Sequence, residues 1–346
     1  MNFYYMHVLI TGTNGYLGSL LAPKLLDKGY EITGLDTGFY KDRSLYRASG
    51  HTPLTLTKDL RRAELSDFDG IDAVVHMAEL SNDPAGQLNP KITYEINHEG
   101  SVRLAKLAKR AGVKRFVYMS SCSVYGIAEN GVVDEESPVS PQTAYAECKA
   151  LVENDIRLLA DENFSPVIMR NATAFGASPG MRFDIVLNNL CGLAFTEQDI
   201  RLTSDGTPWR PLVHGLDVAA AILAVLEAPK EAIHNQTFNV GSSNQNYQVR
   251  EVAEIVADVF PACSLSFGEG TDNRSYRVSF KKIAKHLPGF KCLWDARKGA
   301  EQLYELFKRI EMSREVFRCR TFTRLNQLEY LIRTKQIDDR FFWQKA

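Results

Sequence analysis

The sequence predicts an α/β fold in which a doubly wound parallel sheet is followed by a smaller C-terminal lobe. Over the first 170 residues, short apolar runs alternate with longer helical patterns, as they do when helices connect parallel strands. At 346 residues the chain also exceeds the usual size of a single core, which favours a second, smaller lobe. Strands are expected at residues 7–11, 31–36, 54–57, 73–76, 115–119 and 167–170.

Helices are expected between these strands at residues 15–28, 97–111 and 143–160. The second of them is clearly amphipathic, because its lysines and arginines lie apart from an apolar side. That side consists of Val102, Leu104, Ala105, Leu107 and Ala108.

The alternation ends after Arg170, where the chain becomes richer in Asn, Gly, Pro and Arg. A helix at 218–226 and a strand at 237–240 then indicate a return to the main sheet. These boundaries predict a Rossmann-type domain at 1–170 that is completed by residues 212–241. They also predict a substrate-binding lobe at 171–211 and 242–295, and a helical C-terminal extension at 296–346.

Composition excludes several classes of protein. With a formal net charge of -1, the chain lacks the excess of positive charge that is typical of proteins that bind nucleic acid or an anionic membrane. The six cysteines form no C-x-x-C pair, which favours reduced thiols over disulfides or a metal site. Residues 1–6 lack a basic segment, and no apolar run approaches the roughly 18 residues of a membrane span. A cytoplasmic location is expected.

Three glycines in one turn predict a dinucleotide site. Gly12, Gly15 and Gly18 follow the first strand and open a helix, where backbone N–H groups and the helix dipole can meet a pyrophosphate. The intervening Asn14, Tyr16 and Leu17 are predicted cofactor contacts with them.

An acid at the end of the next strand indicates which dinucleotide is bound. Asp36 lies 24 residues after Gly12, near the spacing at which an acid binds the adenosine ribose hydroxyls. A carboxylate there repels a 2′-phosphate, so NAD is favoured. Lys41 and Arg43 follow a little further on, which leaves NADP open as the alternative.

A tyrosine and a lysine four residues apart predict acid–base chemistry. Tyr145 and Lys149 project from one face of the helix expected at 143–160. A tyrosine with its ordinary pKa of about 10 is a poor base, and a nearby ammonium is expected to lower that pKa. Ser121 ends the fifth strand, where its hydroxyl can orient the reacting oxygen. Ser120 and Ser123 are the neighbouring alternatives.

These motifs resemble the extended short-chain dehydrogenase/reductase superfamily. Further motifs follow in the family's order, namely Asp59-Leu60, His76-Met-Ala78, Asn97-His-Glu-Gly100, Arg210-Pro-Leu-Val-His214 and Phe238-Asn-Val-Gly241. Within this superfamily, the chain is similar to the NAD-dependent epimerase/dehydratase family that acts on nucleotide sugars. The resemblance covers about residues 7–295 and assigns the catalytic serine to Ser121, counted back from Tyr125-Gly126. It also implies cofactor contacts from Asp59, Leu60, Met77, Ala78 and Asn97.

The chain departs from the family pattern at several positions. Cys122 and Ser123 stand where the 4,6-dehydratases carry acids, which argues against dehydration. Glu79 replaces a small residue after His76-Met-Ala78. It could face the nicotinamide or the sugar, or equally a helix contact or solvent. His76 is expected to bond the backbone rather than act as an acid or base, and Cys122 and Cys148 to serve as packing residues.

The resemblance also implies where the nucleotide diphosphate binds. Thr173 occupies the position of the usual asparagine, and Asn171 lies two residues earlier. Other candidate substrate contacts, including arginines whose planar fork suits phosphate oxygens, are Glu79, Ser81, Ser123, Arg182, Asn189, Arg210 and Arg274. For Arg182, a purely surface role is equally open.

The predicted function is NAD-dependent hydride transfer at the sugar C4, as a 4-epimerase or 4-dehydrogenase. The alternative is an NAD(P)H-dependent 4-keto-sugar reductase. A dehydrogenase of a non-sugar alcohol and a non-catalytic NAD-sensing protein are the remaining hypotheses. The partner is a nucleotide-diphosphate sugar, with no nucleic acid and no membrane.

The resemblance further implies a homodimer. Its interface would be a four-helix pairing of the helices at 97–111 and 143–160, with Leu104, Ala108, Val152 and Leu159 as candidate contacts. The competing hypothesis is a monomer whose C-terminal helical segment covers that surface.

Overall fold

A seven-stranded parallel sheet forms the centre of the computed structural model, which describes residues 6–41, 44–47, 50–270 and 275–344. The strands in chain order are β1 (His7–Thr11), β2 (Glu31–Asp36), β3 (Leu54–Thr57), β4 (Ala73–His76), β5 (Arg115–Ser121), β6 (Ile127–Val133), β7 (Ser165–Asn171), β8 (Thr173–Phe175), β9 (Asp199–Ser204), β10 (Trp209–His214), β11 (Gln236–Val240), β12 (Asn246–Gln248), β13 (Ser264–Gly270) and β14 (Ser275–Val278). The order across the central sheet is β11-β7-β5-β4-β1-β2-β3. The predicted doubly wound α/β fold is confirmed. Each of the six strands expected before residue 171 begins and ends within about two residues of its predicted bounds.

Helices cover both faces of this sheet and build the lobe beside it. They are α1 (Gly18–Asp27), α2 (Asp83–Leu88), α3 (Pro90–Thr93), α4 (Ser101–Arg110), α5 (Ala144–Arg157), α6 (Val186–Glu197), α7 (Gly215–Glu227), α8 (Lys230–Ile233), α9 (Val249–Val259), α10 (Lys281–His286), α11 (Ala296–Arg309), α12 (Arg314–Phe317) and α13 (Arg324–Arg333). The helix expected at 97–111 begins earlier, as a wider π-helical segment at Tyr94–Gly100 that continues into α4. Among the described residues, no helix has both the length and the apolar character needed to span a bilayer.

The central strands of the sheet are buried, including the polar residues that they carry at their ends. Every residue of β4 and β7 is buried, as expected for parallel strands with helices on both faces. The edge strand β3 is only partly covered. The parallel register pairs Asp36 with Thr57 and Ser121 with Asn171, so the carboxyl ends of the strands meet along one edge. Open α/β sheets bind their ligands at that edge.

The C-terminal extension divides between two hydrophobic cores. Leu303 and Phe307 of α11 belong to the core of the lobe, together with residues of α6 and α9. Leu328 and Leu331 of α13 instead join the core beneath the sheet, which also contains Leu9 and Leu35. The end of the chain therefore crosses from the lobe to the sheet domain.

The apolar positions proposed for a dimer interface require a correction. Leu104, Ala108 and Val152 are completely buried, because these sides of α4 and α5 face the sheet. The exposed apolar residues at this site are Leu158, which is 84% exposed, and Leu151, which is 39% exposed. The C-terminal segment leaves Leu158 uncovered.

Candidate active site

A cleft of about 740 Å³ lies at the carboxyl edge of the sheet, between the sheet and the lobe. It brings together most of the residues that the sequence singled out. Those that line it are Gly12, Gly15, Tyr16, Leu17, Gly18, Asp36, Asp59, Leu60, Met77, Ala78, Glu79, Ser81, Ser121, Ser123, Tyr145, Lys149, Asn171, Thr173, Arg182, Asn189 and Arg210. Arg43 and Arg274 lie outside the described residues.

The glycine turn leaves no space for side chains. Gly12 has a φ of +76°, and a Cβ atom on Gly18 would lie 2.2 Å from the Gly12 carbonyl oxygen. A Cβ atom on Gly15 would lie 2.9 Å from the same oxygen. Helix α1 begins here without a side-chain cap, and its dipole directs partial positive charge toward the turn. The N–H groups of Gly15, Ser19 and Leu20 already donate to the carbonyls of Gly12, Gly15 and Leu17. The turn is a cradle of the shape and polarity that suit a dinucleotide diphosphate.

Asp36 is held against this turn by two backbone groups. Its Oδ2 accepts a hydrogen bond from the Asn14 N–H (3.0 Å), and its Oδ1 accepts one from the Gly38 N–H (2.8 Å). Asn14 does not line the cleft and contributes through its backbone. The carboxylate is therefore fixed at the end of β2, beside the position where a cofactor ribose follows the diphosphate.

Asn97 and His76 support the cleft from behind. The Asn97 side chain is buried, accepting a bond from the Leu80 N–H (2.8 Å) and donating one to the Leu80 carbonyl (3.0 Å). His76 bonds the hydroxyls of Thr11 (2.6 Å) and Ser101 (2.7 Å), so the expectation of backbone bonds was wrong. Burial lowers the pKa of His76 to about 3, which keeps the ring neutral. Both residues position the chain after β4 rather than line the cleft.

The tyrosine, the serine and the lysine meet in the middle of the cleft. Thr143 caps α5 by accepting a bond from the Ala146 N–H (3.2 Å), which places Tyr145 in the first turn. Tyr145 and Ser121 both line the cleft, and interaction with the Ser121 side chain acts to lower the pKa of Tyr145. Lys149 Nζ lies 5.6 Å from the centre of the Tyr145 ring and donates to the Met119 carbonyl.

Ser121 is distinguished from its neighbours by these contacts. The Ser120 hydroxyl is buried and donates to Glu153 Oε1 (2.5 Å), away from Tyr145. Ser123 Oγ is buried and has no hydrogen-bond partner among the described residues. Of the three serines, Ser121 is the one that interacts with Tyr145, and its Oγ accepts a bond from the Ser123 N–H (3.1 Å).

Glu79 forms a buried ion pair with the lysine of this group. Its Oε2 lies 2.7 Å from Lys149 Nζ, and its Oε1 accepts a bond from the Tyr118 hydroxyl (2.8 Å). The Lys149 and Glu79 side chains are only 5% and 2% exposed. Sequence analysis left a ligand contact and a helix or solvent contact open for Glu79. The structure shows a third arrangement, in which the carboxylate faces the lysine.

This ion pair changes the expected electrostatics of Tyr145. Burial raises the pKa of Tyr145 above its ordinary value, and the Glu79 and Asp83 carboxylates raise it further. Ser121 and the Arg182 cation act in the opposite direction but do not prevail. The pKa of Tyr145 in the protein alone is therefore raised and not lowered as expected, because burial is the largest effect and the Glu79 carboxylate adds to it.

The far side of the cleft is lined by polar groups of the lobe. Arg182 is 9% exposed and pairs with Asp184 (Nε to Oδ1, 2.8 Å), so it is not a surface residue. Its Nη1 also approaches the Ser81 hydroxyl (3.3 Å). Asn189 donates to the Phe183 carbonyl at 2.9 Å.

Arg210 and Asn171 complete this side. Arg210 Nη1 donates to the Trp209 carbonyl (2.8 Å), and its guanidinium lies 5.8 Å from the centre of the Tyr276 ring. Asn171 Nδ2 donates to the Ser120 carbonyl (3.1 Å), whereas Asn171 Oδ1 is buried without a hydrogen-bond partner among the described residues. A buried acceptor without a partner is costly, so it indicates a polar ligand at this position.

Among the residues that sequence reasoning missed are Asp184 and Arg324, which line the cleft, and Tyr118, which is buried and bonds Glu79. Asp184 pairs with Arg182, and the two-residue spacing of this acid and base was an available signal. Tyr118 carries no motif, although it lies on a strand that was predicted. Arg324 comes from the C-terminal helix α13, where no pattern in the sequence indicates a ligand.

Comparison with known proteins agrees with this geometry. The model of the NAD dependent epimerase/dehydratase family matches residues 8–241. UDP-glucose 4-epimerase of Bacillus subtilis is 28% identical over 278 residues, covering 72% of this chain and 80% of its own length. UDP-glucose 4-epimerase of Neisseria gonorrhoeae is 30% identical over 275 residues, covering 71% and 80%.

Among solved structures, MoeE5 in complex with UDP-glucose and NAD superposes with a TM-score of 0.76 at 25% identity. This superposition covers 88% of this chain and all of that one. The family match extends over more than half of the chain and includes the glycine turn, Ser121, Tyr145 and Lys149. The chain belongs to the NAD-dependent epimerase/dehydratase family, and it is an NAD-using enzyme of the extended short-chain dehydrogenase/reductase type.

Proposed function

We propose that this enzyme inverts C4 of a nucleotide-diphosphate hexose, with a UDP-sugar as the first substrate to test. The observation that carries the proposal is the meeting of Ser121, Tyr145 and Lys149 in one cleft, with Lys149 Nζ 5.6 Å from the centre of the Tyr145 ring. The glycine turn lies at one end of this cleft, and Arg210 and Asn189 lie in the lobe at the other. The UDP-glucose 4-epimerases among the relatives support the choice of a UDP-sugar.

In the proposed reaction, Tyr145 removes the proton of the sugar 4-hydroxyl while Ser121 holds the same oxygen by a hydrogen bond. Bound NAD+ supplies a hydride acceptor, and its positive ring favours the tyrosinate. Lys149 favours the tyrosinate, an effect that its ion pair with Glu79 weakens, and would hold the nicotinamide ribose. Ser123 Oγ and Asn171 Oδ1, which are buried without partners among the described residues, would bond the sugar.

Dehydration is disfavoured by the residues next to Ser121. At the two positions where the 4,6-dehydratases carry acids, this chain has Cys122 and Ser123. The Cys122 thiol is buried and donates to the Arg170 carbonyl (3.3 Å), and burial raises its pKa above the ordinary value. Neither side chain can serve as the acid that expels water.

The same site would also support a 4-keto-sugar reductase, which exchanges its dinucleotide after each turnover. An epimerase keeps it, because the hydride returns to the same sugar. The decisive experiment incubates purified protein with UDP-glucose or UDP-galactose, without added NAD, and follows C4 inversion by NMR. GDP-, CDP- and dTDP-hexoses serve as parallel substrates. Tyr145→Phe is the matched control.

Interconversion without added cofactor supports the epimerase. If no sugar is turned over and a 4-keto-sugar is reduced in the presence of NADH, the enzyme is a 4-keto-sugar reductase and the epimerase proposal is wrong.

We also propose that the protein is a cytoplasmic homodimer. Leu158 and Leu151 leave an exposed apolar surface on and just after α5. Pairing of one surface with itself about a two-fold axis is the commonest route to an oligomer.

A further inference from the structure

A buried arginine from the end of the chain lies over the glycine turn. Arg324 begins α13, and its backbone N–H donates to Asp184 Oδ2 (3.1 Å). Its guanidinium stacks 3.9 Å from the centre of the Tyr40 ring. Arg324 Nη2 lies 3.9 Å from the point where a Cβ atom of Gly15 would be. The side chain is 6% exposed and lines the cleft.

This guanidinium lacks the partners that a buried cation normally has. Its Nε and Nη1 atoms have no hydrogen-bond partner among the described residues. The neighbouring Arg182 holds Asp184 through both of its carboxylate oxygens (2.8 and 3.2 Å). Two cations therefore share Asp184 at this end of the cleft, with Asp36 as a further carboxylate that acts on Arg324 without bonding its Nε or Nη1, and a buried charge that is incompletely paired is unfavourable.

Three hydrogen bonds join the C-terminal segment around Arg324 to the loop that follows β2. Gln327 Nε2 donates to the Phe39 carbonyl (3.0 Å), and the Tyr40 hydroxyl donates to the Arg324 carbonyl (3.2 Å). Trp343 Nε1 donates to the Thr37 carbonyl (2.6 Å). This loop begins directly after Asp36, so the segment covers the adenosine end of the cleft. It lies beyond the residues that the family model matches.

We propose that Arg324 binds the diphosphate of the cofactor, so that the C-terminal segment holds NAD together with the glycine turn. The guanidinium fork can donate two parallel bonds to phosphate oxygens, and the backbone N–H groups of the turn approach from the other side. The diphosphate would supply negative charge that compensates the guanidinium groups of Arg182 and Arg324. The proposal depends on the family's cofactor and not on the sugar chemistry proposed above.

The test compares Arg324→Gln with the unchanged full-length protein, from which co-purified dinucleotide has been quantified and removed. Calorimetric titrations use ADP-ribose, which has the diphosphate, adenosine, which has no phosphate, and UDP, which represents the substrate nucleotide. The exposed Arg320→Gln is the matched control, since the Arg320 guanidinium also stacks on a tyrosine, 3.7 Å from the Tyr330 ring centre.

We expect Arg324→Gln to weaken ADP-ribose binding about 10- to 100-fold, the usual effect of losing charge-assisted hydrogen bonds. The affinities for adenosine and UDP should stay within about twofold, and the ADP-ribose affinity of Arg324→Lys should lie between those of the wild type and the Gln variant. The melting temperature without ligand should be equal or higher, because an unpaired buried cation has been removed.

Unchanged ADP-ribose affinity would overturn the proposal, as would a loss confined to UDP. If Arg324→Gln fails to fold, Arg324→Lys decides, because ADP-ribose binding by this variant at wild-type strength would also overturn it. Retained C4 inversion with weakened ADP-ribose binding would leave the proposed function intact.

Discussion

The Glu79–Lys149 ion pair leads to a prediction about the pH dependence of the enzyme. In Glu79→Gln, the Lys149 ammonium loses the carboxylate that lies 2.7 Å away. The Lys149 charge is the same in both proteins, so the change comes from the lost repulsion between Glu79 and the tyrosinate. The carboxylate oxygen lies 2.7 Å from Lys149 Nζ, which lies 5.6 Å from the Tyr145 ring centre, so it is at most about 8 Å from that centre. At an effective dielectric constant of about 20, two unit charges at this separation interact by about 2 kcal/mol, or about one and a half pKa units, so the pKa of Tyr145 should fall.

Because Tyr145 is proposed to act as a base, the acid limb of the kcat/KM profile follows its deprotonation. The fall in pKa should move this limb to lower pH, by about one and a half pH units. The assay measures C4 inversion from pH 5 to 10 and is accompanied by thermal denaturation. Denaturation matters because removing one partner of a buried pair typically costs about 3–5 kcal/mol of stability.

Glu99→Gln is the control for net charge. Glu99 is exposed, and its replacement changes the total charge by the same amount away from the cleft. This variant should leave the profile in place. A folded Glu79→Gln enzyme whose acid limb coincides with that of the wild type would refute the electrostatic argument.

Three further predictions concern the base, the cofactor and the assembly. Tyr145→Phe should lower turnover by at least about 10²- to 10⁴-fold while NAD binding is retained, and a near wild-type rate in a stopped assay would remove the mechanism. Asp36→Ser should narrow the preference for NAD over NADP, because the charge that repels a 2′-phosphate is lost. Tighter binding of NADPH than of NADH by the wild type, measured by fluorescence titration, would contradict the assignment. Light scattering at micromolar concentration should give twice the chain mass of 38.9 kDa, and Leu158→Asp should return it to the single mass. A wild-type mass of one chain would exclude the dimer.

Local patterns in the sequence were sufficient for the architecture of the sheet domain. Strand alternation, the glycine spacing and the four-residue step from Tyr145 to Lys149 depend on neighbours along the chain. The parallel topology then brings Asp36 and Ser121 to one edge without further information. The burial of both faces of the central strands follows from the same patterns.

Contacts between distant segments were decided only by the tertiary structure. Glu79 meets Lys149 across 70 positions of sequence, and Arg324 reaches the glycine turn across more than 300. No periodicity records such a meeting, since it depends on how helices pack on the sheet. The inward position of Leu104 has the same cause, because an amphipathic pattern shows that a face is apolar and not what covers it. The sequence by itself therefore determined where the cleft lies, whereas packing determined which charges face one another inside it.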